Sequence, residues 1–167
     1  MKIRVASDHE DSQSASAIYA ESWKAAYKDI FSWQVLGIIT PDYWVKSFDG
    51  NYTSNRFEIA IIHRDGKDIG AGGFGLSRDY SNWGEITSIY LLPSAWGSGA
   101  GKALLDFMVL QLKKQGFKNI HLWMLSDNKR AARFYEKCGS SPTGGRRDIS
   151  FGGEIKAEHE LSFSIEA

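Results

Sequence analysis

Apolar residues recur every three to four positions in three stretches of the chain, a spacing typical of amphipathic helices. The three stretches are 8–27, 101–115 and 129–137. A further helix is predicted to begin at Thr40 and Pro41, a favourable N-cap and first-turn pair, and to end near Phe48. Residues 50–55 are then expected to form a loop, while the pattern over 31–39 is ambiguous.

Short runs of alternating or wholly apolar residues predict strands between these helices. The runs lie at 3–5, 57–63, 68–76, 85–92, 119–125, 144–151 and 154–165. The strand at 85–92, the helix at 101–115 and the strand at 119–125 follow one another, which implies a right-handed crossover and a central parallel pair. The predicted fold is therefore α/β (α+β): a mixed, mostly antiparallel sheet of about seven strands, with helices on both faces.

Composition narrows the classes of function. At 167 residues, the chain is most simply one domain, 1–167. Twenty basic and twenty acidic residues balance, which argues against nucleic acid or an anionic membrane surface as a partner. No stretch approaches the roughly eighteen apolar residues of a spanning helix, and the N-terminus has no long apolar region, so a cytoplasmic protein is expected. A lone cysteine, Cys138, excludes an intrachain disulfide, and the histidines show no ligand spacing, so no metal site is predicted.

A glycine-rich turn connects the strand at 85–92 to the helix that follows it. Gly97, Gly99 and Gly101 let the backbone approach a ligand, and the first N–H groups of a helix have no partners within the helix. With the helix dipole, these groups favour an anion, and a pyrophosphate is the natural ligand. The turn is not a Walker A loop, because Trp96 and Ala103 occupy positions where that motif has Gly and Ser or Thr.

A literal G-x-G-x-x-G sequence occurs at 70–75. It lies inside a predicted strand and opens no helix, so we interpret it as a bulged or closely packed strand. An NAD-type dinucleotide domain would depend on these glycines alone and is disfavoured.

The turn resembles the acyl-CoA loop of the GNAT superfamily of N-acetyltransferases. The family pattern is Arg or Gln, two residues, Gly, any residue, then Gly or Ala. Gly99 and Gly101 match it, whereas Trp96 stands at the Arg or Gln position.

A second segment, 128–139, is similar to the family's Asn, then Ala, then Phe-Tyr-Glu-Lys-x-Gly sequence. Ser140 follows where the family usually has Phe. The two motifs occur in the family's order, each in a strand-to-helix setting, and the resemblance covers about 85–139. It implies the GNAT fold and acetyl-CoA as the acyl donor.

The resemblance also implies an N-acetyltransferase that moves the acetyl group directly to an amine in a ternary complex. Tyr135 falls where the family has a tyrosine near the CoA sulfur, acting as general acid. An alkyl ammonium, with a pKa of about 10.4, must lose a proton before it attacks. Glu85, at the start of the central strand, is the candidate base, with a water chain as the alternative. A splay of the parallel strands would expose a main-chain N–H near Leu91 to polarise the thioester carbonyl.

The remaining site residues follow from the same two motifs and from the family's acceptor pocket. The cofactor-binding residues are expected to be Leu91, Leu92, Trp96, Gly97, Ser98, Gly99, Ala100, Gly101, Lys102, Asn128 and Arg133. Lys129 and Arg130 lie near the same helix starts and are cations that can reach CoA phosphates. The expected acceptor-binding residues are Trp23, Tyr27, Trp83 and His159, since aromatic side chains can wall an amine. His159 lies on an apolar strand face and is equally typical of a core residue.

The acceptor is expected to be a small-molecule amine. A protein N-terminus or lysine is the alternative within the same chemistry, and an open groove would favour it. A non-catalytic acyl-CoA-binding sensor is the alternative of another class, against which Tyr135 argues. The sequence leaves the acceptor, the acyl chain length and the oligomeric state open, although exposed edge strands are compatible with a homodimer.

Overall fold

The structure is a computed structural model that describes residues 1–54 and 56–164, with the backbone alone for 52 and 53. Its helices and strands follow one another along the chain in the order βαααβββαβαββ. In sequence they are β1 (Lys2–Val5), α1 (His9–Ala26), α2 (Trp33–Ile38), α3 (Val45–Ser54), β2 (Phe57–Arg64), β3 (Lys67–Leu76), β4 (Gly84–Leu91), α4 (Ala100–Lys114), β5 (Asn119–Leu125), α5 (Lys129–Lys137), β6 (Ser141–Phe151) and β7 (Glu154–Ser164).

The strands of the described residues form one sheet in the order β1-β2-β3-β4-β5-β7-β6. Every neighbouring pair is antiparallel except β4 and β5, which are parallel. The predicted mixed sheet with a central parallel pair is therefore confirmed. The parallel pairing is short, because only Gly84 with Ile120 and Glu85 with His121 are in register. Beyond these two pairs the strands separate.

Helices cover both faces of the sheet, as predicted. On one face α4 buries Leu104, Met108 and Leu112 against the sheet, where α5 adds Tyr135. On the other face α1 packs Ala15, Ile18 and Tyr19 against β2 and β3. No helix in the described ranges combines the length and the apolar character that crossing a bilayer requires.

Strand β3 contains the G-x-G-x-x-G sequence, and the structure confirms that it is a closely packed, irregular strand. A Cβ at Gly72 would lie 2.8 Å from the carbonyl oxygen of Ser88 and 2.9 Å from the sulfur of Met108. The register with β4 shifts between Gly73 and Phe74. Gly72 makes room for Met108 of α4, whereas Gly70 and Gly75 lie against residues of and beside the neighbouring strands, so the motif reflects packing and not a dinucleotide site.

The second predicted helix differs from the observed one. Thr40 and Pro41 lie in a turn, and α3 begins at Val45, with the Phe48 N–H donating to the Trp44 carbonyl oxygen at 2.9 Å. The start is set by α1, because Ser16 Oγ accepts a hydrogen bond from the Trp44 N–H at 3.0 Å. The predicted loop at 50–55 is helical as far as Ser54, and residue 55 lies outside the described residues.

At the C-terminal hairpin, β6 begins at Ser141, three residues before the predicted start. Ser141 and Pro142 pair with Ser162 and Leu161, and the register then shifts before Arg146. The predicted end of β7 at residue 165 lies outside the described residues. The ambiguous stretch at 31–39 contains α2, which Ser32 caps by accepting from the Val35 N–H.

Replacing Gly72 by alanine tests the packing of β3. The new methyl group meets backbone and a buried thioether, so we expect Gly72→Ala to lower the free energy of unfolding by about 1–3 kcal/mol. Gly37→Ala is the matched control, because a Cβ there has no atom within 4 Å, and it should change that free energy by less than about 1 kcal/mol. Urea unfolding measures both, and equal values for the two variants would contradict the packing explanation.

Candidate active site

A cleft opens where β4 and β5 separate. Its volume is about 600 Å³. The walls come from the inner edges of the two strands, the glycine-rich turn, the first turns of α4 and α5, and one side of α1. Of the predicted site residues, it is lined by Tyr27, Leu91, Trp96, Gly97, Gly99, Gly101, Lys102, Asn128, Arg133 and Tyr135.

The glycine-rich turn delivers the N-terminus of α4 to this cleft. Gly99 is the N-cap and has φ +83°, a conformation that other residues rarely adopt. Because Ala103 is the first residue whose N–H bonds back to the Gly99 carbonyl, at 3.1 Å, the amides before it have no partner in the helix. Ser98 and Ala100 do not line the cleft: Ser98 Oγ donates to the Ala95 carbonyl at 2.7 Å, and Ala100 is buried.

Leu91 directs its peptide groups into the cleft. Its neighbour Leu92 donates its N–H to Ile69 of β3 at 2.9 Å, and successive residues of a strand point their peptide groups to opposite sides. The Leu91 carbonyl accordingly accepts from Ser22 Oγ at 2.8 Å and from Trp96 Nε1 at 3.0 Å, both away from β3. The Leu91 N–H points the same way and can donate to a ligand. Leu92 itself packs beside α1.

Helix α5 contributes the other wall. Asn128 caps it by accepting from the Ala131 N–H at 3.1 Å. Tyr135, about two turns further along, is buried, and this burial raises its pKa above the ordinary value. Its hydroxyl therefore keeps its proton at neutral pH and can act as an acid.

Aromatic hydroxyls line the side of the cleft that α1 covers. Tyr27 and Tyr90 share a hydrogen bond of 3.2 Å between their hydroxyl groups, and Trp23 Nε1 donates to Tyr90 at 2.8 Å. Trp23 itself lies behind the wall in an aromatic cluster with Phe31 and Phe151. Sequence reasoning missed Tyr90 and Ser88, although their alternation with Ile89 and Leu91 along β4 could have placed both on the face opposite those two residues.

Glu85 does not lie in the cleft, contrary to the expectation for the base. Its side chain is 1% exposed and is held by the Arg78 guanidinium and by the Arg78 N–H at 3.1 Å. The reason is its position at the closed end of the strand pair, directly beside His121. An enclosed, paired carboxylate has neither the space nor the reach to meet an amine in the cleft.

Three of the four predicted acceptor-binding residues also lie outside the cleft: Trp23, behind its wall, and Trp83 and His159. Trp83 packs against Tyr80, with ring centroids 4.9 Å apart, and against His121. His159 faces a separate depression beside Arg146, on the opposite face of the sheet from Trp123. Trp123, which sequence analysis did not assign to the site, lines the cleft instead.

A buried polar chain closes the other end of the parallel pair. His121 Nε2 lies 2.6 Å from Ser77 Oγ, and its Nδ1 lies 2.9 Å from Glu160 Oε1. The arrangement has the connectivity of a hydrolase triad, but all three residues are buried and Ser77 Oγ accepts two turn N–H groups, from Asp79 and Tyr80. It cross-links β5 and β7 to the turn that follows β3. In the described part of the chain, no cluster of His, Cys, Asp or Glu has a metal-binding arrangement.

The sequence matches a known protein family. The sequence profile of the acetyltransferase (GNAT) family matches residues 14–140, more than half of the chain. The mycothiol acetyltransferase of Actinosynnema mirum is 33% identical over 113 residues, which are 66% of this chain. The chain spans 37% of that relative's length.

Solved structures share the fold over almost the whole chain. The PaiA N-acetyltransferase of Thermoplasma acidophilum, in complex with coenzyme A, aligns with a TM-score of 0.77 at 19% identity, covering 98% of this chain and 99% of that one. The ribosomal-protein-alanine N-acetyltransferase of Brucella melitensis gives a TM-score of 0.75 at 17% identity, with the same coverage of 98% and 99%. At these identities the likeness concerns the fold.

The ion pair of Glu85 should contribute to stability. Arg78→Met leaves a buried carboxylate without its partner, so we expect the free energy of unfolding to fall by about 2–4 kcal/mol. Adding Glu85→Met should recover part of this loss, because it removes the unpaired charge. Lys102→Met is the control: its pair with Asp106 is exposed and screened by water, so the free energy of unfolding should stay close to that of the wild type. Additive losses in the double variant, measured by urea unfolding, would refute the pairing.

Proposed function

The chain belongs to the GNAT acetyltransferase family, and we propose that it is an N-acetyltransferase that moves an acetyl group from acetyl-CoA directly to an amine. The observation that carries the proposal is the cleft between β4 and β5. It has a helix N-terminus at one end, an inward-pointing main-chain N–H at Leu91 and a protonated tyrosine in its wall. This combination suits an acyl thioester attached to a diphosphate.

The residues of the cleft fit the parts of acetyl-CoA, which when bound supplies a thioester activated toward amines. Gly99, Gly101 and Lys102 line the cleft, and their amides can hold the diphosphate, since they are unpaired within α4 and lie at its positive end. Asn128 and Arg133 lie along the same wall and can bind the pantetheine arm and a phosphate. The Leu91 N–H can donate to the thioester carbonyl, which makes its carbon more electrophilic.

Tyr135 is proposed as the general acid. The departing thiolate needs a proton, and a buried tyrosine with a raised pKa carries one throughout the neutral range. Tyr135 lies in the second turn of α5, in the wall of the cleft that also contains Phe134 and Cys138, and its burial supports a hydroxyl group that works inside the cleft.

The proton that the amine loses is proposed to leave through water. Among the described residues that line the cleft, none is Asp, Glu or His. Burial raises the pKa of both Tyr27 and Tyr90, so their hydroxyl groups stay neutral and can pass a proton along but not store a charge. We therefore assign the base to a solvent chain beside Tyr27, Tyr90 and Ser88, and no longer to Glu85.

The acceptor is proposed to be a small-molecule amine in the cytoplasm. Tyr27 and Trp123 present aromatic surfaces in the cleft, and such surfaces bind apolar groups and cations. Behind them the cluster of Trp23, Phe31 and Phe151 fills the space between α1 and β6, which favours a walled pocket over an open groove. The relative from Actinosynnema mirum is named a mycothiol acetyltransferase, after a small molecule and not after a protein.

Tyr135→Phe tests the acid. Release of CoA from acetyl-CoA is measured with a panel of amines, and we expect kcat to fall about 100-fold or more with little change in CoA affinity. The wild-type rate should rise with pH as the amine deprotonates and should show no alkaline decline up to about pH 10, because an acid with a raised pKa stays protonated there.

Tyr80→Phe is the matched control for this experiment. Tyr80 is an exposed tyrosine outside the cleft whose hydroxyl group donates to Glu160, so kcat should be retained. Tight acetyl-CoA binding without turnover of any amine would instead favour the sensor alternative. A full rate in Tyr135→Phe would remove the assignment of the acid.

A further inference from the structure

The glycine-rich turn, where the diphosphate is proposed to bind, lacks a positively charged side chain of its own. The turn from Trp96 to Gly101 carries no basic side chain, and Trp96 stands at the position where the family has Arg or Gln. Lys102 follows the turn, but its Nζ lies 2.6 Å from Asp106 Oδ2, so its charge is already compensated. A diphosphate held here by backbone amides alone would lack a neutralising cation from the loop.

Arg130 of α5 provides a cation beside the glycine-rich turn, since its guanidinium lies against Trp96. It belongs to the first turn of α5, and both it and Trp96 line the cleft. Its guanidinium carbon lies 3.4 Å from the centroid of the Trp96 ring, which is close stacking of the two planes. Stacking occupies a face of the guanidinium and leaves its N–H groups, which lie in the plane, able to donate to an anion.

Trp96 is held in place for this contact. Its indole N–H donates to the Leu91 carbonyl at 3.0 Å, so the ring cannot rotate freely at the edge of the cleft. The stacked pair therefore connects the end of β4 to the start of α5 across the gap between the strands. Trp96 positions Arg130, and Arg130 provides the charge.

Arg130 has no carboxylate partner within 4 Å among the described residues, unlike Arg4, Arg78 and Arg147. Partial burial also lowers the pKa of Arg130 from its ordinary value, since the charged form has lost water without gaining an anion. A desolvated cation at the mouth of a cleft is stabilised when a ligand supplies the missing negative charge.

We propose that Arg130, stacked on Trp96, binds the diphosphate of acyl-CoA and supplies the side-chain cation that the glycine-rich turn lacks. This inference rests on the proposed function, because it concerns the same co-substrate. Trp96 is a positioning residue in this arrangement, so the loss of the family's Arg or Gln at 96 is compensated by a residue of another element.

Titration calorimetry with CoA and with 3′-dephospho-CoA tests the proposal. Arg130→Gln should weaken binding of both ligands by the same factor, roughly 10- to 100-fold, because a charge-assisted contact to the diphosphate is lost from each. Lys129→Gln is the matched control from the same turn of α5: contrary to the expectation from sequence, Lys129 does not line the cleft, and its Nζ donates to the Ser126 carbonyl at 3.3 Å. The change should alter either affinity less than about threefold. Thermal unfolding checks that both variants fold.

A double-variant cycle tests the role of Trp96. Trp96→Ala should weaken CoA binding by roughly three- to tenfold, through loss of the stacking that orients Arg130. In the Arg130→Gln background the same change should have almost no effect, since the group that Trp96 orients is gone. Trp96→Arg should restore a cation to the loop and make Arg130→Gln nearly silent.

These binding measurements distinguish a failure of the Arg130 proposal from a failure of the acetyltransferase proposal. If Arg130→Gln binds CoA as the wild type does, or if its loss appears with CoA but not with 3′-dephospho-CoA, Arg130 does not bind the diphosphate and the inference fails while the acetyltransferase proposal stands. Independent, additive losses for Trp96→Ala and Arg130→Gln would also overturn it. If wild-type protein binds no CoA at all, both proposals fall together.

Discussion

The separation of β4 and β5 after two residue pairs is the constraint on which the rest of the site depends. Each strand stays paired along its outer side, β4 with β3 through one register shift and β5 with β7, so the sheet is continuous although its centre is open. The inner edges of both strands must then find other hydrogen-bond partners, because buried peptide groups without partners are costly. At Leu91 two of these partners are side chains, Ser22 and Trp96, which accounts for the carbonyl and leaves the N–H to a ligand.

Because the strands are paired at one end and separated at the other, polar groups at the closed end bond within the protein, whereas those at the open end face the cleft. At the closed end, Glu85 and His121 lie side by side in the ladder, and their side chains are satisfied within the protein by Arg78, Ser77 and Glu160. At the open end the polar groups face a cleft. A carboxylate at the closed end therefore supports the sheet, and the same residue type a few positions later would have faced the ligand.

The sequence was informative where local rules decide the structure. Strand β5 and helix α5 have the predicted bounds, because an apolar run followed by an Asn cap and a closing glycine specifies them locally. The start of α3 was wrong because a tertiary hydrogen bond from Trp44 to Ser16 overrides the favourable pair at Thr40 and Pro41. The position of Glu85 depended on how far the parallel ladder extends, which no sequence pattern reports, and a register shift near Thr87 alters which side chains of β4 share a face.

The contact between Trp96 and Arg130 illustrates that a sequence motif describes what a site needs, here a cation, and that this group can come from another position in the chain. A diphosphate needs amides, a helix N-terminus and a cation, and only the first two are tied to the backbone of the turn. A cation can reach the same point from any element that borders it. Here α5 borders it, and an indole at 96 gives the long arginine side chain a flat surface that limits its freedom. In the proposed binding mode a tryptophan at the usual arginine position is compatible with an anion site, since the ring orients a charge that α5 supplies.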